Sequence, residues 1–134
     1  MVEETVRVDW MKDQLFLLRD HFGFPIVMTQ PGGVSGADLL PLSIIGCVSW
    51  DIVAILLKQR QQLTGLEVAA SSVREEEPPW RFKSIHIVYR IRGRALNSDG
   101  IQRAIQLSET KYCSTFATLR QALDLSSEFE IVDE

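Results

Sequence analysis

Apolar and polar residues interleave at period two in Thr5-Val6-Arg7-Val8-Asp9-Trp10, the spacing of a strand. Two short apolar runs follow, at 14–19 (QLFLLR) and 25–29 (PIVMT), bounded by Gly23 and by a Pro31-Gly32-Gly33 turn. Three short strands joined by tight turns predict an antiparallel meander.

The pattern then changes to a long apolar stretch, 39–57. Ser35 followed three residues later by Asp38 has the form of a capping box ahead of it. Pro41 belongs either in the first turn of this helix or at a kink. The helix is expected to run to about Gln62 and to stop at Leu63-Thr64-Gly65. Its length approaches the ~20 apolar residues that cross a bilayer. Asp51 near its middle argues instead for a helix buried on nearly all sides in a protein core. Extended segments are expected at 66–74 and 82–91, the second alternating less strictly than an ideal half-buried strand. The charged, proline-rich loop 75–79 separates them. Asn97-Ser98 caps a further helix, another opens near Cys113, and 126–132 (SSEFEIV) closes the chain as a strand. The order βββ-α-ββ-αα-β predicts an α+β fold with antiparallel strands.

With 134 residues the chain is expected to form a single domain, 1–134. Its 46% hydrophobic and 24% charged residues match an ordinary globular protein. A net charge of −4 argues against nucleic acid as a partner, because phosphate binding needs a cationic face. The opening MVEETV carries no apolar signal-type run, and a cytoplasmic location without membrane association is the expectation. Thiols there rest reduced unless they are catalytic.

The two cysteines are the centre of any chemistry. Cys47 lies mid-helix, with Ser43, Ile44, Trp50 and Asp51 on its face and no cation within a turn. An apolar setting raises a thiol pKa, so nucleophilic use of Cys47 needs a donor or cation from elsewhere; the alternative is an inert core cysteine. Cys113 stands where a helix opens, and unpaired amides and the helix dipole there stabilise a thiolate. The other reading gives the N-cap to Ser114 or Thr115 and packs Cys113 inward. His21 and His86 are the only histidines, and no ligand spacing joins them to the cysteines, so no metal is expected. The chain has no glycine-rich phosphate loop and no CxxC, and no cofactor is expected.

The stretch Ser35-Gly-Ala-Asp-Leu-Leu-Pro-Leu-Ser-Ile-Ile-Gly-Cys47-Val-Ser-Trp-Asp-Ile-Val resembles the signature of the OsmC/Ohr family, an acidic residue and two leucines before a helix with Gly-Cys. The stretch Arg103-Ala-Ile-Gln-Leu-Ser-Glu-Thr-Lys-Tyr-Cys113-Ser is similar to the family's second signature, a helix ending in Cys, with Ser114 where proline is usual. The resemblance implies an OsmC-like α+β fold, antiparallel sheets packed around a long central helix, in an intertwined homodimer with its sites at the subunit interface. It also implies a thiol-dependent peroxidase acting on organic hydroperoxides. Cys47 would form a sulfenic acid, Cys113 would resolve it as a disulfide, and a dithiol reductant would reopen that bond. Asp38 stands at or beside the family's activating glutamate. Arg19 and Arg7 are the nearest candidates for its arginine partner. A non-enzymatic dimer binding a small apolar or thiol-reactive ligand at its interface is the alternative.

Overall fold

The computed structural model describes residues 1–29 and 32–134, and Pro31 of the expected turn lies outside the described residues. The chain forms two compact units, Met1–Leu40 and Pro41–Glu134.

The first unit is the expected meander. Strands β1 (Arg7–Lys12), β2 (Leu15–Arg19) and β3 (Pro25–Met28) pair antiparallel in that order. Asp13 takes the positive φ of the first turn and its carbonyl accepts the Trp10 indole N–H at 2.8 Å. In the second turn the Asp20 carboxylate accepts the amides of Phe22 and Phe24, an Asx-type closure that leaves Gly23 at φ 93°. A 3-10 turn, Gly36–Asp38, follows. The Asp38 amide donates to the Ser35 carbonyl at 3.1 Å, so backbone closes this turn and not the side-chain capping bond expected of Ser35.

Helix α1 (Leu39–Lys58) leads into the second unit, with Pro41 in its first turn. Ile44, Val48, Ile52 and Leu56, four residues apart, form one fully buried stripe. The opposite face is open: Leu42, Trp50 and Leu57 are exposed, Trp50 by 80%. The helix is therefore buried on one side and not nearly all round, because β5 and α2 share a core with that side alone. It remains long and apolar enough to cross a membrane by length and composition.

The helix stops at Lys58, earlier than Gly65. Arg60 takes the left-handed conformation (φ 61°), its amide donates to Leu57, and the Gln61 amide reaches back to Leu56 at 3.1 Å. That is a Schellman closure with arginine in the usual glycine position. Gly65 instead sits in β4 (Gln62–Arg74) at a register shift opposite Arg92, where a Cβ would stand 3.3 Å from that side chain.

Strand β5 (Phe82–Arg94) is the centre of the second sheet, antiparallel to β4 and parallel to β6 (Asp124–Asp133). The expected all-antiparallel arrangement thus fails at β6. Between β5 and β6 the chain passes through α2 (Ser98–Leu107) and α3 (Ser114–Leu119), a crossover long enough to return it to the same end of the sheet. Ile85, Ile87, Tyr89 and Ile91 alternate strictly and are fully buried, more regular than the sequence suggested. They share one core with the α1 stripe and with Ile101, Ala104 and Ile105 of α2.

Ile52 lies in the middle of that stripe. Ile52→Ala should lower the unfolding free energy by ~2–5 kcal/mol in urea denaturation. A loss no larger than that of an exposed position would mean the helix is rotated differently.

Candidate functional site

The rotation that buries Ile44 and Val48 turns Cys47 to the flank of α1, half-buried and packed against the core. Asp51, one turn further on, shares that flank. Gly46 before the thiol is exposed, and a Cβ there would meet no atom within 4 Å, so the backbone beside Cys47 is open.

Cys113 arrives from the connection between β5 and β6. Asn97 caps α2, its side-chain oxygen accepting the Gly100 amide at 3.0 Å. The helix then widens into a π-helical turn, Ser108–Tyr112, closed by the Cys113 amide donating to the Ser108 carbonyl at 2.8 Å. Such widened turns arise where a side chain must be re-aimed, and they cluster at functional sites. Cys113 leaves the helix in extended conformation (φ −83°, ψ 107°) and becomes the N-cap of α3, its Sγ accepting the Phe116 amide at 3.3 Å.

The two thiols meet here. Cys113 is 2% exposed, and the Cys47 side chain is its neighbour. Burial, then the Cys47 side chain, pushes the Cys113 thiol up from the ordinary 9.0 to about 12, against the lowering pull of the Phe116 and Thr115 amides. The thiolate expected at this helix start is therefore not favoured: loss of water outweighs two amide dipoles. Cys113 stands at the helix start and packs inward, and it takes the N-cap itself in place of Ser114 or Thr115.

Two further hydrogen bonds fasten the π-turn. The Ser108 hydroxyl, fully buried, donates to Asp51 Oδ2 at 3.0 Å. The Tyr89 hydroxyl donates to Glu109 Oε2 at 2.7 Å, and burial followed by this carboxylate holds its pKa well above the ordinary tyrosine range. None of Ser108, Tyr89 and Glu109 stood out in the sequence. The one available signal was a serine five residues before a motif cysteine, which reads as an ordinary helix position until the helix is known to widen.

The other expected site residues lie in the first unit. Arg19 ends β2, its guanidinium donating to the Gly23 carbonyl at 2.9 Å, and Asp38 closes the 3-10 turn outside α1. His21 stacks on Phe22 at 4.0 Å. His86, on the outer face of β5, is held by Ser126 at 2.7 Å and Glu128 at 2.9 Å.

A family model described as OsmC-like protein matches residues 29–128. Protein YhfA of Escherichia coli K12 is 33% identical over 129 residues, covering 94% of this chain and 96% of that protein. The crystal structure of a hypothetical protein from Aquifex aeolicus VF5 superposes with a TM-score of 0.89 at 26% identity, covering 100% and 99% of the two chains. The organic hydroperoxide resistance protein OhrB of Bacillus subtilis has a TM-score of 0.61 at 15% identity, covering 94% and 98%, a likeness of fold alone.

The Cys113 proton has a consequence for stability. Its folded pKa is raised, so its contribution is complete below about pH 9 and is lost as pH climbs toward about 12. The urea midpoint of the wild type should fall more steeply than that of Cys113→Ala above about pH 9. Parallel pH profiles would contradict the buried, neutral thiol.

Proposed function

We propose that this chain, which belongs to the OsmC-like protein family, is a thiol-dependent peroxidase that reduces organic hydroperoxides with Cys47 as nucleophile and Cys113 as resolving thiol. The observation that carries the reading is the meeting of the chain's two thiols across the core, from elements far apart in sequence.

In the first step the Cys47 thiolate attacks the terminal oxygen of the hydroperoxide. The O–O bond breaks, the departing alkoxide takes a proton and leaves as alcohol, and Cys47 becomes a sulfenic acid. The neutral Cys113 S–H beside it is suited to donate to that thiolate. In the second step the Cys113 sulfur attacks the Cys47 sulfur. Hydroxide leaves with the Cys113 proton as water, and the disulfide forms. An external dithiol returns two electrons and two protons. Asp38, at or beside the position of the family's activating glutamate, and Arg19 or Arg7 are the candidates for the acid and cation that activate the thiolate.

Homodimerisation is part of the same proposal. The open face of α1, with Leu42, Trp50 and Leu57, is an apolar surface of the kind that a second copy covers. Both cysteines are free thiols, which suits a reducing cytoplasm.

The chemical test is intact mass. Stoichiometric cumene hydroperoxide should remove two hydrogens per chain by linking Cys47 to Cys113, and Cys47→Ser should lose at least ~100-fold in hydroperoxide consumption. An unchanged mass, or full consumption by Cys47→Ser, would sink the peroxidase reading. Fast alkylation of Cys47 without turnover would point instead to a thiol-reactive ligand-binding dimer. Separately, light scattering should give twice the 15.2 kDa chain mass, and Trp50→Glu should shift it toward one. A wild-type monomer would contradict the dimer.

A further inference from the structure

The π-turn that presents Cys113 is tied to the helix that presents Cys47. Asp51 follows Cys47 by one helical turn, on the same flank of α1. Its carboxylate receives the Ser108 hydroxyl at 3.0 Å, and the same hydroxyl lies 3.5 Å from the Val48 carbonyl of α1. Ser108 in turn offers its backbone carbonyl to the Cys113 amide at 2.8 Å. A short chain of bonds thus runs from α1 through Ser108 to the backbone of Cys113, bypassing the sulfurs. Ser108 is the one fully buried polar residue among the described residues, and its hydroxyl is directed at a carboxylate and not only at its own helix.

Disulfide formation sharpens the need for such a tie. Two neighbouring thiols must close to ~2.05 Å with a C–S–S–C dihedral near 90°. That requires the Cys113 backbone to stay in register with Cys47 while the thiol side chains turn. A residue fixed to both elements keeps the pair at high effective concentration, and a misplacement of ~1 Å can cost about 100-fold.

We infer that Asp51 and Ser108 are positioning residues for the resolving step, holding the π-turn so that Cys113 reaches the Cys47 sulfenic acid before a second oxidant does. The inference rests on the peroxidase reading for its chemistry, and its geometry is testable without it. The balance of the step is that given above: the S–S bond forms, the S–OH bond breaks, and water leaves with the Cys113 proton. When resolution is slow, a further hydroperoxide takes Cys47 to the sulfinic acid instead.

The experiment compares wild type, Ser108→Ala, Asp51→Ala and the conservative Asp51→Asn, which keeps an acceptor oxygen for the Ser108 hydroxyl. Each is treated with cumene hydroperoxide, quenched with dimedone and followed by intact mass. Wild type should pass to the disulfide with little dimedone adduct. Ser108→Ala and Asp51→Ala should resolve about 10- to 100-fold more slowly, accumulating the Cys47 adduct and then the sulfinic acid. Asp51→Asn should return to within a few-fold of wild type, a rescue that a merely electrostatic effect of Asp51 on Cys47 would not give.

A second measurement is independent of hydroperoxide. In glutathione redox buffers the Cys47–Cys113 effective concentration should fall at least ~10-fold in Ser108→Ala and Asp51→Ala and hold in Asp51→Asn. If wild-type Cys47 does not react with hydroperoxide but the effective concentration falls as expected, the peroxidase reading fails and the clamp stands. If folded Ser108→Ala matches wild type in effective concentration, the clamp is overturned. Should Ser108→Ala not fold, the comparison of Asp51→Ala with Asp51→Asn decides in the same way.

Discussion

The burial of a single stripe of α1 is the constraint on which the second unit depends. Ile44, Val48, Ile52 and Leu56 join Ile85, Ile87, Tyr89 and Ile91 in one core, and each buried side chain of this size contributes ~1.5–3 kcal/mol relative to exposure. Because the stripe has only one orientation that hides it, the rotation of the helix is fixed. Cys47 and Asp51 are then carried to one flank by helical geometry alone. Everything chemical in this unit follows from where that flank points.

The opposing wall is set by α2 and the π-turn. Ile101, Ala104 and Ile105 bury the inner face of α2 against the same core, and the turn at Ser108–Tyr112 delivers Cys113 to Cys47. The polar atoms brought along are all matched: Ser108 to Asp51, Tyr89 to Glu109, the Cys113 amide to Ser108. Among the described residues no buried side-chain nitrogen or oxygen lacks a partner. A dry environment for Cys113 is thereby built without an uncompensated polar group, which would otherwise destabilise the fold. The same dryness keeps Cys113 protonated, a result of burial and not of local sequence.

Much of this was legible in the residues. The three strands of the meander, the apolar run of α1, the Asn97 cap and the order of elements all depend on contacts within a few residues, and they came out as expected. The helix end did not, because Arg60 adopts the left-handed conformation without the glycine that usually marks it. The direction of β6 did not either. Nothing in DLSSEFEIVD distinguishes a parallel neighbour of β5 from an antiparallel one; the crossover through α2 and α3 decides it.

By itself, then, the sequence determined the family, the succession of strands and helices, and which two atoms could carry redox chemistry, since these are written in local spacing and short motifs. The tertiary structure decided that the two thiols are neighbours, that burial keeps Cys113 protonated, and that Ser108 and Asp51 join the elements bearing them. It also decided that α1 leaves one apolar face open. The reason is the same in each case: desolvation and side-chain hydrogen bonding depend on what the rest of the chain brings alongside, and no local pattern encodes a neighbour 57 residues away.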